Sequence, residues 1–436
     1  MNKYLPLLLL FAPLNASAET VSLTLREYQD LALHGNHELR EAGLSAGGAE
    51  QAAKGAFTNY FPKVSASGGI ANTDILPGLN QPIGLLPQTG QSNGASLAML
   101  SATQPLFAGG RIVNGNRLAK VGLTAAQEQL RAKKNEVLSE SEKKYRQLQV
   151  LDGKMKTLLA YEKMMDSLYS QVSEATERGI ATKTDSLRVK LKKQEIAIKK
   201  EQLKKIIEIA KKDLKIYAGI KMNADIQLKE EEESVEQPAY STETLRAQLA
   251  ARPEYKLLET GVEAARLQKK MKLGSYLPSL AVGAGLYRAD YYANNNFTNS
   301  ASYRDTVAFG MISIPLSDWW EASHSIKEMQ LKEDAAHERL SALGEYLLLD
   351  MENKLQVFET SYEQFLLSQV GIEQAQTNKS ELEDGYKNGT EKLYNYLEAL
   401  ALESESQNKL LEAKSEYFQA RTAFLLAIGK LEERKN

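Results

Sequence analysis

A long stretch without proline constrains this chain more than any other feature of its sequence. No proline occurs between Pro105 and Pro238, and most residues there are good helix formers, chiefly Leu, Ala, Glu, Lys, Gln and Arg. A single helix through the first part of this stretch would be on the order of 100 Å long, at ~1.5 Å per residue. Globular domains do not contain such rods, so an elongated molecule is predicted.

The stretch has one credible break, at residues 177–185. Gly179 can adopt the left-handed conformation that ends a helix. Either Thr182 or Thr184 can cap the N-terminus of the helix that follows. We therefore predict a long helical hairpin over residues 108–219.

The same pattern occurs a second time. No proline follows Pro315, which predicts a second hairpin over residues 317–430, with its break at 385–390. Three pairs of landmarks are each 210 residues apart, namely Pro105 with Pro315, Gly179 with Gly389, and Gly219 with Gly429. Equal spacing indicates an internal duplication. We predict two structural repeats, over residues 19–230 and 231–436, with the acidic run 230–236 as a solvated linker between them.

The chain begins with the features of a secretory signal peptide. Lys3 precedes the apolar run 5–14, which is too short to span a bilayer, and Ala-Ser-Ala at 16–18 fits a cleavage site. We expect residues 1–18 to be removed. The alternative is that this segment stays as a membrane anchor.

Composition argues against several classes of protein. A formal net charge of −2 gives no polybasic surface, so nucleic acid is not expected as a partner. The absence of cysteine excludes disulfides, thiol catalysis and cysteine metal sites. His34 and His37 could share a helix face, but no further metal ligands lie nearby in sequence. With neither a phosphate-binding loop nor a Gly-x-Ser-x-Gly motif, we expect no enzyme, cofactor or metal.

Each repeat also carries extended segments between its helical parts. A helix is predicted from Thr24 to Phe61 in the first repeat and over 241–276 in the second, and each ends just before a proline. Beyond these prolines, apolar residues alternate with small or polar ones. Strands are predicted at about 63–75 and 95–106 in the first repeat, and at about 279–292 and 303–315 in the second.

Strands of roughly ten residues have the length needed to cross a bilayer at a tilt. No run of ~18 apolar residues follows the signal peptide, so a membrane-spanning form of this chain would have to be a β-barrel. Four strands cannot close a barrel, and open sheet edges are not tolerated in lipid. Protomers must therefore share one barrel. A dimer would give eight strands and a trimer twelve.

Aromatic residues gather at the ends of the predicted strands of the second repeat. Tyr291 and Tyr292 end one strand, and both tryptophans of the chain, Trp319 and Trp320, follow the next. Because Trp and Tyr favour the headgroup layer, these residues predict an aromatic girdle at the membrane interface. Ordinary packing where strands meet helices is the alternative.

On these features the chain resembles the outer-membrane efflux protein family, the TolC-like channel-tunnels of Gram-negative bacteria. The resemblance rests on the junctions 60–62 and 276–278, the element 103–111, and the two hairpin breaks. It implies a mainly α fold with a small β part. Three copies would pool their strands into one 12-stranded barrel in the outer membrane, and antiparallel coiled-coil hairpins would extend it as a tunnel into the periplasm.

The resemblance further implies a passive exit duct of a tripartite efflux or type I secretion system. The homotrimer would bind outer-membrane lipid, a periplasmic adaptor protein, and an inner-membrane pump or secretion ATPase. A soluble periplasmic coiled-coil adaptor or scaffold is the alternative function, because such proteins also carry long helical hairpins.

The resemblance also assigns functions to the hairpin ends. Polar links there hold the family's entrance closed. Asp185 and Tyr386 match two linking residues, whereas Glu391 stands where well-known members have arginine, and a carboxylate facing Asp185 would repel it. Glu398 would belong to an acidic ring in the lumen, unless it is an ordinary surface glutamate. The predicted gate and adaptor-docking residues are Gly179, Ile180, Ala181, Asp185, Tyr386, Gly389, Thr390 and Glu391.

Overall fold

A computed structural model describes residues 20–72, 94–229, 234–240, 242–292 and 299–430. The predicted signal peptide lies outside these residues. The same holds for the end of the first predicted strand and for most of the acidic linker.

Helices dominate the described residues, and a small β part accompanies them, which confirms the predicted fold class. The helices are α1 (Leu25–Gly35), α2 (His37–Phe57), α3 (Arg111–Glu177), α4 (Lys183–Tyr217), α5 (Thr242–Gln248), α6 (Pro253–Ser275), α7 (Trp319–Lys387) and α8 (Leu393–Ala427). The strands are β1 (Thr20–Leu23), β2 (Lys63–Asn72), β3 (Gly94–Ala108), β4 (Asp225–Leu228), β5 (Ser279–Tyr292) and β6 (Asn299–Ser313).

The strands form two separate sheets. β2, β3, β5 and β6 pair antiparallel in the order β2-β3-β5-β6, which leaves β2 and β6 as the two edges. β1 and β4 form a second, parallel pair. This pair leaves no recognisable signal in the sequence, because strands of four residues are too short to show an alternating pattern.

The prediction of one continuous helix over residues 24–61 is wrong. The structure ends α1 at Gly35, because Asn36 is extended (φ −66°, ψ 127°). The Asn36 side chain then accepts a hydrogen bond from the Leu39 amide at 3.0 Å, as a helix cap does. A Cβ at Gly35 would lie 2.0 Å from the Ala218 carbonyl oxygen, so the chain needs glycine at this crossing.

The helix predicted over residues 241–276 is also divided. A short 3-10 turn, Leu249–Ala251, follows α5, and Arg252 is extended (φ −68°, ψ 134°) before α6 begins at Pro253. A residue before proline is disfavoured in the α conformation, and proline is well tolerated as the first residue of a helix. The break is therefore a local effect of Pro253 that the sequence analysis overlooked.

The chain divides into two compact units, and each takes residues from both sequence repeats. The unit comprising residues 1–43, 130–253 and 344–436 is called here the hairpin unit. The unit comprising residues 44–129 and 254–343 is called the sheet unit. The four-stranded sheet lies wholly in the sheet unit.

Polar contacts in the hairpin unit connect four long helices in a definite order. α4 contacts α3, α3 contacts α8, and α8 contacts α7. The ion pairs that show this order are Lys193 with Asp166 at 2.8 Å, Lys154 with Glu412, and Lys379 with Glu403 at 3.3 Å. α4 and α7 are therefore the flanking helices of this layer.

Candidate functional site

The first hairpin tip, residues 178–182, joins α3 to α4. Gly179 has φ +74°, a conformation that glycine adopts without strain. The amides of Ile180 and Ala181 both donate to the carbonyl of Ala175, at 2.8 and 3.1 Å, and so close the end of α3. The side chain of Ile180 is 79% exposed. The tip is thus a fixed turn that presents an apolar residue.

Asp185 helps to build this turn. Its amide donates to the hydroxyl oxygen of Thr182 at 3.1 Å, and its carboxylate accepts from the Thr182 hydroxyl at 2.6 Å. The backbone N–H of Thr182 donates to the same carboxylate at 3.4 Å, and with the Asp185 amide bond it forms a capping box for α4. The structure therefore assigns the cap to Thr182 rather than Thr184. The carboxylate predicted to latch the entrance is already held by its own hairpin.

The second tip, residues 388–392, joins α7 to α8 with the same backbone turn. Gly389 has φ +76°. The amides of Thr390 and Glu391 both donate to the carbonyl of Gly385, at 2.9 and 3.1 Å. In each tip, the two residues after the left-handed glycine bond to the residue four positions before it.

The side chain of Glu391 packs within its own hairpin. Its carboxylate accepts a hydrogen bond from the Asn395 amide group at 2.8 Å. A Cβ at Gly385 would lie 2.6 Å from the Cγ of Glu391, so this side chain crosses directly over the glycine. Within one protomer, Glu391 is therefore bound to Asn395 and Asp185 to Thr182. The expected repulsion between the two carboxylates at the entrance stays a prediction.

Tyr386 is the predicted gate residue that connects the two hairpins. Its ring stacks on Tyr396, with centroids 5.7 Å apart and planes 17° apart. Burial raises the pKa of Tyr386, and the negative charge of Asp185 raises it further. Burial also raises the pKa of Tyr396 to about 12, with a smaller effect from Glu383. Both phenols are therefore neutral at physiological pH, and the charge of Asp185, which belongs to the other repeat, acts on Tyr386.

Some residues around the tips were missed by the sequence analysis. Leu393, Tyr396 and Leu400 are buried in a cluster shared with α3 and α4. Their spacing of three and four residues is the pattern of a packed helix face, and it could have identified them. Glu398 lies in the same helix but is exposed, so its predicted place in an acidic ring of the lumen stays a prediction.

The predicted girdle residues lie at opposite ends of the large sheet. Trp319 lies at the end where β6 leads into α7, and its indole N–H donates to the carbonyl of Tyr276 at 2.8 Å. Trp320 beside it is 86% exposed. Tyr291 and Tyr292 lie at the far end of β5. Their side chains are outside the described residues.

None of the helices described is apolar over a length that could cross a bilayer. Among the described side chains, no group of three or more His, Asp or Glu is placed to hold a metal ion.

Comparison with known proteins identifies relatives of the whole architecture. A family profile described as outer membrane efflux protein matches residues 29–205 and 244–430. No curated protein sequence matches the chain.

Several solved structures share the fold. The outer membrane protein VceC of Vibrio cholerae is 15% identical, with a TM-score of 0.76 over 93% of this chain and 96% of VceC. The outer membrane channel CmeC of Campylobacter jejuni is 19% identical, with a TM-score of 0.77 over 93% of this chain and 85% of CmeC. The open state of the outer membrane channel MtrE of Neisseria gonorrhoeae is 16% identical, with a TM-score of 0.72 over 93% of this chain and 88% of MtrE. At these identities the likeness shows a common fold.

Proposed function

Because this chain belongs to the outer membrane efflux protein family, we propose that it is a passive outer-membrane exit duct that works as a homotrimer. In this proposal the four-stranded sheet lies in the outer membrane and the long helical hairpins extend into the periplasm. The observation that carries the proposal is that the large sheet and the layer of long helices both end in unpartnered edges.

The sheet provides the first of these edges. β2 and β6 each pair on one side only, so each offers a row of free backbone donors and acceptors along its other side. Such edges are not tolerated in lipid. Pairing β6 of one copy with β2 of the next would remove every edge when the ring closes. Four strands from each of three copies make the 12-stranded barrel.

The helices provide the second edge. Val189 and Ile196 of α4 are buried, whereas Leu191 and Ile198, on the opposite side of the helix, are 64% and 60% exposed. α7 has the same two-sided character. Its residues Met351, Phe358, Phe365 and Ile372 are buried at seven-residue spacing, while Leu349, Leu367 and Val370 are exposed. Each flanking helix therefore presents a second apolar seam that suits a coiled coil with another helix.

The two flanking helices carry opposite charge. α4 has 12 Lys and Arg against 5 Asp and Glu, whereas α7 has 6 Lys and Arg against 14 Asp and Glu. At spacings of seven or fourteen residues a basic row runs along the exposed seam of α4, and an acidic row runs along that of α7. These rows are Lys183, Lys190, Lys204 and Lys211 on α4, and Glu345, Glu352, Glu359 and Glu373 on α7. α4 of one copy thus complements α7 of the next, as a ring requires.

The hairpin tips supply the gate and the docking site in this proposal. Ile180, Ala181 and Thr390 lie on or beside the turns, where a periplasmic adaptor of an efflux pump or secretion ATPase would bind. Opening would be a two-state loosening of the tips, biased by adaptor contacts. The neutral hydroxyl of Tyr386 near Asp185 is the proposed link that this loosening breaks.

Membrane extraction and channel recording test the proposal. The chain should stay in the outer-membrane fraction after carbonate washing, elute as a trimer in detergent by light scattering, and conduct ions in planar bilayers. A soluble adaptor would be released by carbonate and would conduct nothing. A stable monomer that stays dissolved without detergent would contradict the proposal.

A further inference from the structure

One face of the large sheet is apolar over most of its length. On β5 it comprises Leu280, Val282, Ala284 and Leu286, of which Val282 is 40% and Leu286 54% exposed. Residues of the other three strands that lie beside them continue this face, including Val64, Leu100 and Ile312. If the proposed function is right, this is the surface that contacts lipid.

The character of this face changes abruptly at the end away from the helices. Arg288 lies two residues beyond Leu286 on the same side of β5. Arg304 is its cross-strand neighbour on β6. Both arginines are exposed. Arg288 lies eight residues beyond Leu280, or roughly 26 Å along the strand, which is close to the ~25 Å apolar band of outer-membrane barrels. The arginine pair therefore lies where the apolar band ends.

The charge of this pair is only half balanced on its own face. Asp290 accepts from Nε of Arg288 at 2.8 and 3.1 Å, and also accepts a hydrogen bond from Ser302. Asp305 belongs to the opposite face, because successive residues of β6 alternate and it pairs with Tyr287. Among the residues that the structure describes, two guanidinium groups thus share one carboxylate on this face. Like charges directly opposite each other on neighbouring strands are destabilising, so the arrangement favours a further anion.

We propose that Arg288 and Arg304 bind the phosphate of a lipid headgroup at the outer boundary of the membrane. This inference depends on the proposed function for the orientation of the sheet. Guanidinium groups bind phosphate oxygens through paired N–H donors, and Asp290 engages only the Nε side of Arg288. The apolar residues directly below suit the acyl chains of the same lipid. The ligand class is therefore a lipid whose phosphate gives it a net negative charge, rather than a zwitterionic lipid or a dissolved anion.

Lipid retention by the purified trimer tests this site. Trimer in detergent is incubated with diphosphoryl lipid A or with phosphatidylcholine, and bound lipid is counted by native mass spectrometry. We expect diphosphoryl lipid A to be retained in preference to phosphatidylcholine, and Arg288→Gln with Arg304→Gln to lower its retention about tenfold. Lys63→Gln is the matched control, because Lys63 is also an exposed cation of this sheet but lies at the other end and on the other face. It should retain lipid like the unaltered chain.

The outcomes separate the two proposals. If the arginine variants remain trimeric and conducting but retain lipid A as well as the unaltered trimer does, the headgroup site is wrong and the channel proposal stands. If the unaltered chain is not a membrane trimer, the channel proposal fails first. Arg304→Gln alone leaves the Arg288–Asp290 pair in place, so a reduced retention there would support the site even if the double variant misfolds. Equal competition by inorganic phosphate would overturn the assignment to lipid.

Discussion

The two hairpin tips have the same backbone turn, but different interactions hold them. At the first tip, the capping box of Thr182 and Asp185 fixes the start of α4, and Ile180 is left exposed. At the second tip, Lys392 occupies the cap position without any side-chain hydrogen bond. There the start of α8 is fixed by burial, because Leu393 and Tyr396 pack into the core.

This difference shows that one turn can be stabilised by two independent means. A left-handed glycine is required in both tips, because the chain must reverse direction there. The capping box is a local device that operates within four residues. Burial depends on helices from the other repeat and is therefore lost if those helices separate. The first tip should keep its shape when the entrance loosens, and the second should respond to that loosening.

Removing the aromatic ring at position 396 should have the largest effect on the difference in stability between the two tips. Tyr396→Ala should destabilise the start of α8 by about 3 kcal/mol, since it leaves a cavity in the cluster that holds the second tip. Hydrogen exchange of the α8 amides would measure this loss. Tyr394→Ala is the matched control, because Tyr394 is 56% exposed and its loss should cost less than about 0.5 kcal/mol. Equal effects of both changes would contradict the assignment of burial as the cause.

Reversing the charged rows should show whether the two hairpins recognise each other across copies. Lys190→Glu with Lys204→Glu, or Glu359→Lys with Glu373→Lys, should each weaken the trimer by roughly 1–2 kcal/mol, or about tenfold. Combining all four changes should restore most of the loss. The trimer fraction in detergent, followed by light scattering at low salt, measures both effects.

The control for the charge reversals places the same change on the central helices. Lys163→Glu with Lys414→Glu alters α3 and α8 instead of the flanking helices, and the trimer fraction should change little. If the variant with all four substitutions forms a weaker trimer than either double variant, α4 does not contact α7 of the next copy.

Changing the N-cap residues of α4 and α8 should have a smaller effect on the stability of the two tips. Thr182→Ala should cost about 1 kcal/mol at the start of α4, because it removes both hydrogen bonds of the Thr182 hydroxyl and leaves only the backbone N–H of residue 182 to bind Asp185. Lys392→Ser should gain a comparable amount at the start of α8, where no side-chain cap exists. Exchange rates of the first-turn amides report each change. Lys392→Ala is the control and should leave α8 unchanged.

Loss of the proposed latch should have no larger energetic effect than loss of the cap, but it should also change channel conductance. Tyr386→Phe removes one hydroxyl, which is worth about 1 kcal/mol, and should raise single-channel conductance. Asp185→Ala should raise it too, but this change also removes the capping box. Thr182→Ala therefore serves as its control. Unchanged conductance of the Tyr386→Phe channel would contradict the proposed latch.

The pH dependence of this signal follows from the pKa of Tyr386. Burial raises that pKa, so the folded state favours the neutral phenol. The stabilisation of the folded state by the neutral Tyr386 phenol is fully present below the ordinary tyrosine pKa of ~10. It is lost only as pH rises through the higher pKa of the folded state. The difference in conductance between the unaltered channel and the Tyr386→Phe channel should therefore stay constant between about pH 6 and pH 9. A change within that range would assign the signal to another group.

Sequence patterns predicted most of the architecture because most of it is locally determined. The proline-free stretches and the glycines at 179 and 389 located the long helices and their turns. Alternation located β5 to within a residue, and the family match confirms the resemblance that these patterns suggested. The errors also have local causes. The break at Arg252 follows from Pro253, which was visible but overlooked.

The candidate site also has features that the local sequence predicts and features that it does not. The turn at each tip could be predicted because a left-handed glycine leaves its mark in the sequence. The partners of Asp185 and Glu391 could not, because a carboxylate can bond to its own helix or to another one, and only side-chain geometry decides. The stacking of Tyr386 on Tyr396 was equally hidden from sequence reasoning.

The sequence alone located the long helices of both hairpins and the four strands of the large sheet, since propensity, capping and alternation act over a few residues. Only the tertiary structure decided that α4 and α7 lie on the flanks and β2 and β6 at the edges. It also decided that the arginines 288 and 304 face each other. Neighbours in space are set by packing between distant segments, and no local pattern encodes which face of a helix or strand is left without a partner.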